Sequence, residues 1–408
     1  MTDATVRRNV TAWVSAALVC TALLTTACTT PTDNNTKKPA TSPSTTPHGY
    51  VPGARESAEQ QSRLVLNDPA TGDTRVLDLI TGETTETAPV RGATRLATDG
   101  RFGYLHTPDR THVLDSGTWT VDHGDHVHYY RAAIRDVGEL PGGDRAHVRA
   151  DAAVTAVTGE DGRAVLHDRA SLEKGQIKAD RTLPGTYAGA VVPYAEHLLA
   201  FAERGGTTEL AVLARNGERV SAPDAECEDP RGDAVTRRGV VFACADGALL
   251  VREERDGVLA AERIPYDDSV PTPERATAFR YRPGSDTLTA PAGDDAVWVL
   301  DVTERAWTRV ETGPVVAANT AGEGALLLVL ENDGALHGYD IATGEERART
   351  QRLLTGDQPA AIEVDRSRAY VNDPDGNKVF EIDYNDDLRV ARSFELDIRP
   401  ALMTETGR

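Results

Sequence analysis

Arg75-Val-Leu-Asp-Leu-Ile-Thr-Gly-Glu83 decides the fold, because the chain writes it again as His337-Gly-Tyr-Asp-Ile-Ala-Thr-Gly-Glu345. His112-Val-Leu-Asp115, Val297-Trp-Val-Leu-Asp301 and Val379-Phe-Glu-Ile-Asp383 are further copies of the same short strand. A partner strand stands before each: Leu64-Val-Leu66, Phe102-Gly-Tyr-Leu105, Thr287-Leu-Thr289, Ala325-Leu-Leu-Leu-Val329 and Ala369-Tyr-Val371. Val240-Val-Phe-Ala-Cys244 and Ala248-Leu-Leu-Val251 make one more such pair. No long stretch carries a helical apolar period. Short apolar runs broken by Gly, Asp, Asn and Pro are strand-and-turn punctuation.

The repeats mark eight units, at 62–90, 91–121, 129–173, 186–222, 226–265, 274–311, 314–350 and 357–394. Their spacing approaches the roughly 40–45 residues of a four-stranded propeller blade. Gln358-Pro-Ala360 opens the last full unit, and Arg399-Pro-Ala401 opens another that stops at Arg408. The first unit lacks an opening strand. The segment from Pro400 to Thr406 is therefore expected to complete it and close the ring, which removes exposed sheet edges. The expected fold class is all-β: a β-propeller of eight four-stranded blades in a single domain over 62–408. A seven-bladed count stays open, because the third and fourth units are the least regular.

The segment 1–27 is expected to be a lipoprotein signal peptide. Arg7 and Arg8 precede a mostly apolar stretch from Val10 to Thr26, and Leu24-Thr-Thr-Ala-Cys28 resembles a lipobox in which Cys28 is lipidated. An ordinary signal peptide cut near Ala27 is the alternative. Residues 28–61 hold Thr, Pro, Ser, Asn and Lys with little apolar content, the composition of a disordered tether. The protein is thus expected on the extracytoplasmic face of a bacterial membrane, held by its lipid anchor only. Cys227 and Cys244 remain in the folded part, and in an exported chain such a pair reads as a disulfide rather than a metal site. The formal net charge of −20 argues against nucleic acid as a partner.

Of the chain's 10 histidines, seven fall between His106 and His167. Asp122-His-Gly-Asp-His-Val-His-Tyr-Tyr130 places His123, His126 and His128 within six residues, beside Asp122 and Asp125. Imidazole is a favoured zinc ligand, and carboxylates ligate or orient the rings from behind. His126 and His128 are two apart, so in extended chain they share a face, and His123-Gly124 can turn a third ring toward them. His147, at the start of the next unit, is a candidate fourth ligand near the ring axis. His106 and His112 are expected to pair across a hairpin. His167, His197 and His337 read as structural. Imidazole also suits copper and nickel, so spacing alone leaves the metal open. No dinucleotide, phosphate-cradle or serine-nucleophile signature is present.

Together with Val113-Leu-Asp-Ser-Gly-Thr-Trp119, Arg145-Ala-His147, Ala190-Val-Val-Pro193 and Val241-Phe-Ala-Cys-Ala-Asp-Gly247, this motif resembles the periplasmic zinc metallochaperones of the AztD type. The resemblance implies a non-catalytic β-propeller. It implies one zinc site at His123, His126, His128 and His147, with Asp122 or Asp125 as ligand or support. It also implies delivery to the zinc-binding solute-binding protein of an ABC importer by what is expected to be a monomer. The chain departs from that family at Tyr187-Ala-Gly189, where a His-His-Gly turn is usual, and at Arg231, where a histidine is usual. Two other readings compete: a membrane-anchored interaction module with incidental histidines, and a metal-dependent hydrolase or lactonase.

Overall fold

The computed structural model describes residues 49–123 and 126–408, without the side chains of Asp180 and Asp256. The expected signal peptide, Cys28, most of the tether and Asp125 lie outside the described residues.

The repeated segment owes its shape to one aspartate. Val76 and Leu77 are buried in the strand Thr74–Asp78, after which the chain must reverse. Asp78 Oδ1 accepts hydrogen bonds from the amides of Ile80 and Thr81, each at 3.1 Å. Gly82 then takes a φ of +76°, which costs a residue without Cβ little. The Asp78 amide donates to Glu83 O at 2.9 Å and restarts the ladder. The second copy repeats this geometry. Asp340 Oδ1 accepts from Ala342 and Thr343, Gly344 stands at +71°, and the Asp340 amide donates to Glu345 O at 2.9 Å.

Among the described residues there are nine antiparallel sheets, eight of which follow one another along the chain, as in a β-propeller. Sheet one holds Arg63–Asn67, Thr74–Asp78 and Thr84–Glu86. The C-terminal strand Leu402–Thr406 pairs with Arg63–Asn67, so that Thr406 lies opposite Arg63, as the missing opening strand required. Sheet two runs from Arg95–Thr98 through Phe102–His106 and Arg110–Asp115 to Arg135–Pro141. Sheets three to eight begin at His147, Ala188, Asp233, Thr287, Val315 and Ile362. Sheets four and six have three strands rather than the expected four. There the fourth position is reduced to single bridges, at Glu209–Glu226, Leu213–Arg219 and Arg280–Thr289.

The core is divided among the seams between sheets. Val65 of sheet one packs with Leu105 and Leu114 of sheet two, and Phe102 of sheet two packs with Val148 and Val157 of sheet three. Tyr370, Val379 and Phe394 of sheet eight pack against Leu64, Leu66 and Leu77 of sheet one. Those three leucines are 0 % exposed, and each contributes roughly 2 kcal/mol by burial.

Two expectations need correction. The second and third units were bounded at 121 and 129, but the fourth strand of sheet two is Arg135–Pro141, and sheet three begins at His147. The strand Arg-Asp-Val-Gly-Glu-Leu-Pro is too polar to read as one. The tether does not extend to 61, since Arg55–Ser57 is a paired strand and Ala54 is buried. Cys227 and Cys244 do form a disulfide, with Cα atoms 5.2 Å apart. It joins two sheets: the Cys227 amide bonds Thr208 O beside sheet four, and Cys244 ends a strand of sheet five. Closing a loop of this length contributes about 3 kcal/mol.

Candidate metal centre

Between the third and fourth strands of sheet two, the chain leaves as a hairpin, Thr118–Asp122 against Val127–Arg131. Arg55–Ser57 adds a third strand, with Glu56 opposite Tyr130. The hairpin is held at its base by aromatic stacking. Trp119 lies opposite Tyr130, and their rings stack at 5.3 Å. Trp119 Nε1 donates to Gly49 O at 3.1 Å. The Arg101 guanidinium sits 3.8 Å from the Trp119 ring and forms a forked pair with the fully buried Asp115. Residues two apart share a face, and so His128 stacks on Tyr130 at 6.2 Å. A buried column therefore fixes one imidazole from below.

The other two rings come to it. His123 and His126 lie 4.8 Å apart, and each is about 5 Å from His128, at 5.3 and 4.9 Å between centroids. One ligand nitrogen from each of the three falls within 4.8 Å of the others. The His123 amide donates to His126 O at 2.9 Å. His123 and His126 are exposed and His128 is half-buried. His128 Nδ1 stands 2.7 Å from Glu56 Oε1. A carboxylate only accepts, so Nδ1 donates to Glu56 and Nε2 is the nitrogen left to face a metal. Asp122 ends its strand opposite Val127 and is not one of the gathered ligands.

In crystal structures, Citrobacter koseri AztD resembles this chain with a TM-score of 0.71 and 19 % identity, covering 85 % of this chain and 98 % of that one. Apo AztD from the same organism matches at 0.71 and 18 %. The chain has an AztD-like fold. The dihydro-heme d1 dehydrogenase NirN, in complex with DHE, is more distant at 0.54 and 16 % identity, covering 86 % of this chain and 77 % of that one. No family model matches the sequence, and no curated protein does.

Within this AztD-like fold, His147 stands apart from the three gathered rings. It lines a cavity with Arg95, Arg149 and Asp233. Burial, then the Arg149 charge, lowers its pKa, with Asp233 opposing and Arg95 adding to the fall. His106 and His112 do not pair. Their hairpin sets His106 opposite Thr111 and His112 opposite Leu105, so the rings point to opposite faces. His106 Nδ1 bonds Thr111 Oγ1 at 2.8 Å, and burial, followed by the Arg95 charge, pushes its pKa down to about 3. His112 reaches Asp136 instead, at 3.3 Å. His167 is buried, and His197 bonds Ala195 O. Where the family has its His-His-Gly turn, Tyr187 is buried and bonds Pro184 O, and Arg231 lines the same cavity as His147. Sequence reasoning missed Glu56. Its only signal was a short Arg-Glu-Ser stretch inside an otherwise polar tether.

Among the described residues a second group also gathers: Glu331, Asp333 and His337. His337 is buried, with Nε2 3.2 Å from Asp333 and 3.6 Å from Glu331, and Nδ1 3.4 Å from Glu346. Tyr339 OH bonds Glu331 at 2.5 Å, and Arg349 pairs with Asp333 at 2.6 Å.

Proposed function

We propose that this protein is a non-catalytic, extracytoplasmic zinc-binding metallochaperone that passes zinc to the solute-binding protein of an ABC importer. The observation that carries the reading is the convergence of His123, His126 and His128 on one exposed hairpin tip. The AztD-like fold and the sequence resemblance support it. In this reading residues 1–27 are cleaved, Cys28 is lipidated, and the chain acts as a monomer with one zinc as cargo. The eight sheets form a closed eight-bladed ring, supported by the C-terminal strand in sheet one and the leucine seam between sheets eight and one.

Zinc bound by imidazole at about 2.0–2.1 Å in a tetrahedron brings its nitrogens to about 3.3 Å of one another. The three nitrogens, now within 4.8 Å, have to draw together. Neutral imidazoles supply donors without a fixed thiolate cage, and exposed donors stay within reach of an acceptor's ligands. Asp125, or a group from the acceptor, would fill the fourth position. Glu56 orients His128 by accepting from its Nδ1. A lipid anchor would keep donor and acceptor on one surface.

The test is zinc titration of the full chain against a chromophoric chelator, followed by transfer to a purified acceptor. Stoichiometric binding that disappears in the His126→Ala, His128→Ala double variant is expected. Unchanged affinity in that variant would end the proposal.

A further inference from the structure

The opening strands of successive sheets line a cavity of about 460 Å³ that contains none of the three gathered histidines. Its lining is rich in arginine. Arg95, Arg149, Arg231, Arg280 and Arg408 all face it, against the carboxylates of Asp99, Asp233 and Glu363. Each of those carboxylates already has a cation. Asp233 holds Arg149 through both of its oxygens. Glu363 pairs with Arg408 at 3.2 Å. Asp99 pairs with Arg169 and also accepts from Tyr104 OH. Arg231 has Asp229 at 2.8 Å.

Two arginines are left over. Among the described residues no carboxylate pairs with Arg95 or Arg280. Arg95 donates only to the carbonyl of Ala146, and its pKa is lowered by burial and by the charges of Arg149 and Arg280, against a smaller opposing effect of Asp144, which does not pair with it. His147 and Asn319 add hydrogen-bonding groups to the same wall. A chain of net charge −20 thus keeps a pocket of surplus positive charge inside it. Mutually repelling guanidiniums are costly unless an anion bridges them, and a planar guanidinium fork matches the oxygens of carboxylate and phosphate. The volume falls within the roughly 300–1,000 Å³ of small-ligand sites.

We infer that this cavity is a binding site for a small organic polyanion presenting carboxylate or phosphate oxygens, held between Arg95 and Arg280. The site is separate from the histidine hairpin and does not depend on the role proposed for it. Arg280 is the arm exposed to the cavity, and Arg95 is the half-buried arm.

Calorimetric titration of the full chain with citrate, malonate and inorganic phosphate, against potassium chloride at matched ionic strength, tests the inference. Saturable one-to-one binding of at least one of the three, absent with chloride, is expected. The relative affinities of citrate and phosphate then decide between a carboxylate and a phosphate ligand. Arg280→Gln should weaken binding by about tenfold or more, since a charge-assisted pair is lost. Arg280→Lys should restore part of it. The His126→Ala, His128→Ala variant should bind the anion as the parent does. Arg95→Gln should also weaken binding, and circular dichroism checks that it folds. No saturable binding at millimolar anion, or binding unaltered by Arg280→Gln, overturns the inference.

Discussion

His128 stacks on Tyr130 at 6.2 Å, and His337 stacks on Tyr339 at the same distance, each pair two residues apart on one strand. Beyond the tyrosine the two imidazoles part company. His128 meets two further imidazoles at an exposed tip, with one carboxylate behind it. His337 is sunk among Glu331, Asp333 and Glu346, and those acids already engage Tyr339 and Arg349. Both groups bring three ligand atoms within 4.8 Å of one another. Only the first offers a borderline-soft ion an all-nitrogen set. At the second, a metal would have to displace an arginine and break a buried tyrosine hydrogen bond. The difference teaches that partner chemistry, rather than proximity, separates a ligand cluster from an ion-pair network.

The sharpest way to break this comparison is to remove the rings in each place. His126→Ala with His128→Ala should lower zinc affinity by about a thousandfold, while His337→Ala leaves it unchanged in the same chelator competition. The reverse pattern would move the metal site to sheet seven. Stability should show the opposite asymmetry. His337→Ala removes a buried ring and its contacts to three carboxylates, and should cost about 1–2 kcal/mol in denaturant unfolding. His126→Ala, at the exposed tip, should stay within about 0.5 kcal/mol without metal.

Glu56→Gln probes the support of His128. Loss of the oriented proton should weaken zinc binding by about 10–100-fold with little change in unfolding midpoint. Tyr339→Phe removes a hydroxyl that bonds a buried carboxylate, and should cost about 1 kcal/mol with no effect on zinc.

The smallest effect is in pH. Burial works to raise the pKa of Asp333, but the Ala335 amide, His337 and Arg349 outweigh it and hold it below the usual value. The unfolded chain therefore takes up this proton first as pH falls. The contribution of Asp333 to stability is present above the unfolded carboxylate pKa, near about 4, and is lost as pH drops through the lower folded value. Asp333→Asn should flatten the acid limb of the stability profile. A limb of unchanged steepness would mean that the network around His337 contributes nothing there.

Much of the fold was legible in the chain. Asp78 and Asp340 close their turns with local hydrogen bonds, and Gly82 and Gly344 supply local backbone freedom, so these repeats read directly as strand and hairpin. The missing opening strand of the first unit, with a spare one after Pro400, pointed correctly to the pairing of Leu402–Thr406 with Arg63–Asn67. The hairpin at 118–131 was not legible as an inserted sheet. Its third strand comes from Arg55–Ser57, and pairing over such a separation leaves no periodic trace. The histidine trio could be picked out because its three members are close in sequence. The placement of His147 could not, because it depends on where sheet three stands against its neighbours.

Sequence by itself determined the elements that close over short loops: the repeated strands, their turns, and the crowding of His123, His126 and His128, since those interactions join residues a few positions apart. Only the tertiary structure decided what those residues face. It set Glu56 behind His128, moved His147 in among arginines, surrounded His337 with acids, and left Arg95 and Arg280 without a paired carboxylate among the described residues. Each of these depends on contacts between distant segments, and their energies are set by burial and by the charge of the neighbour.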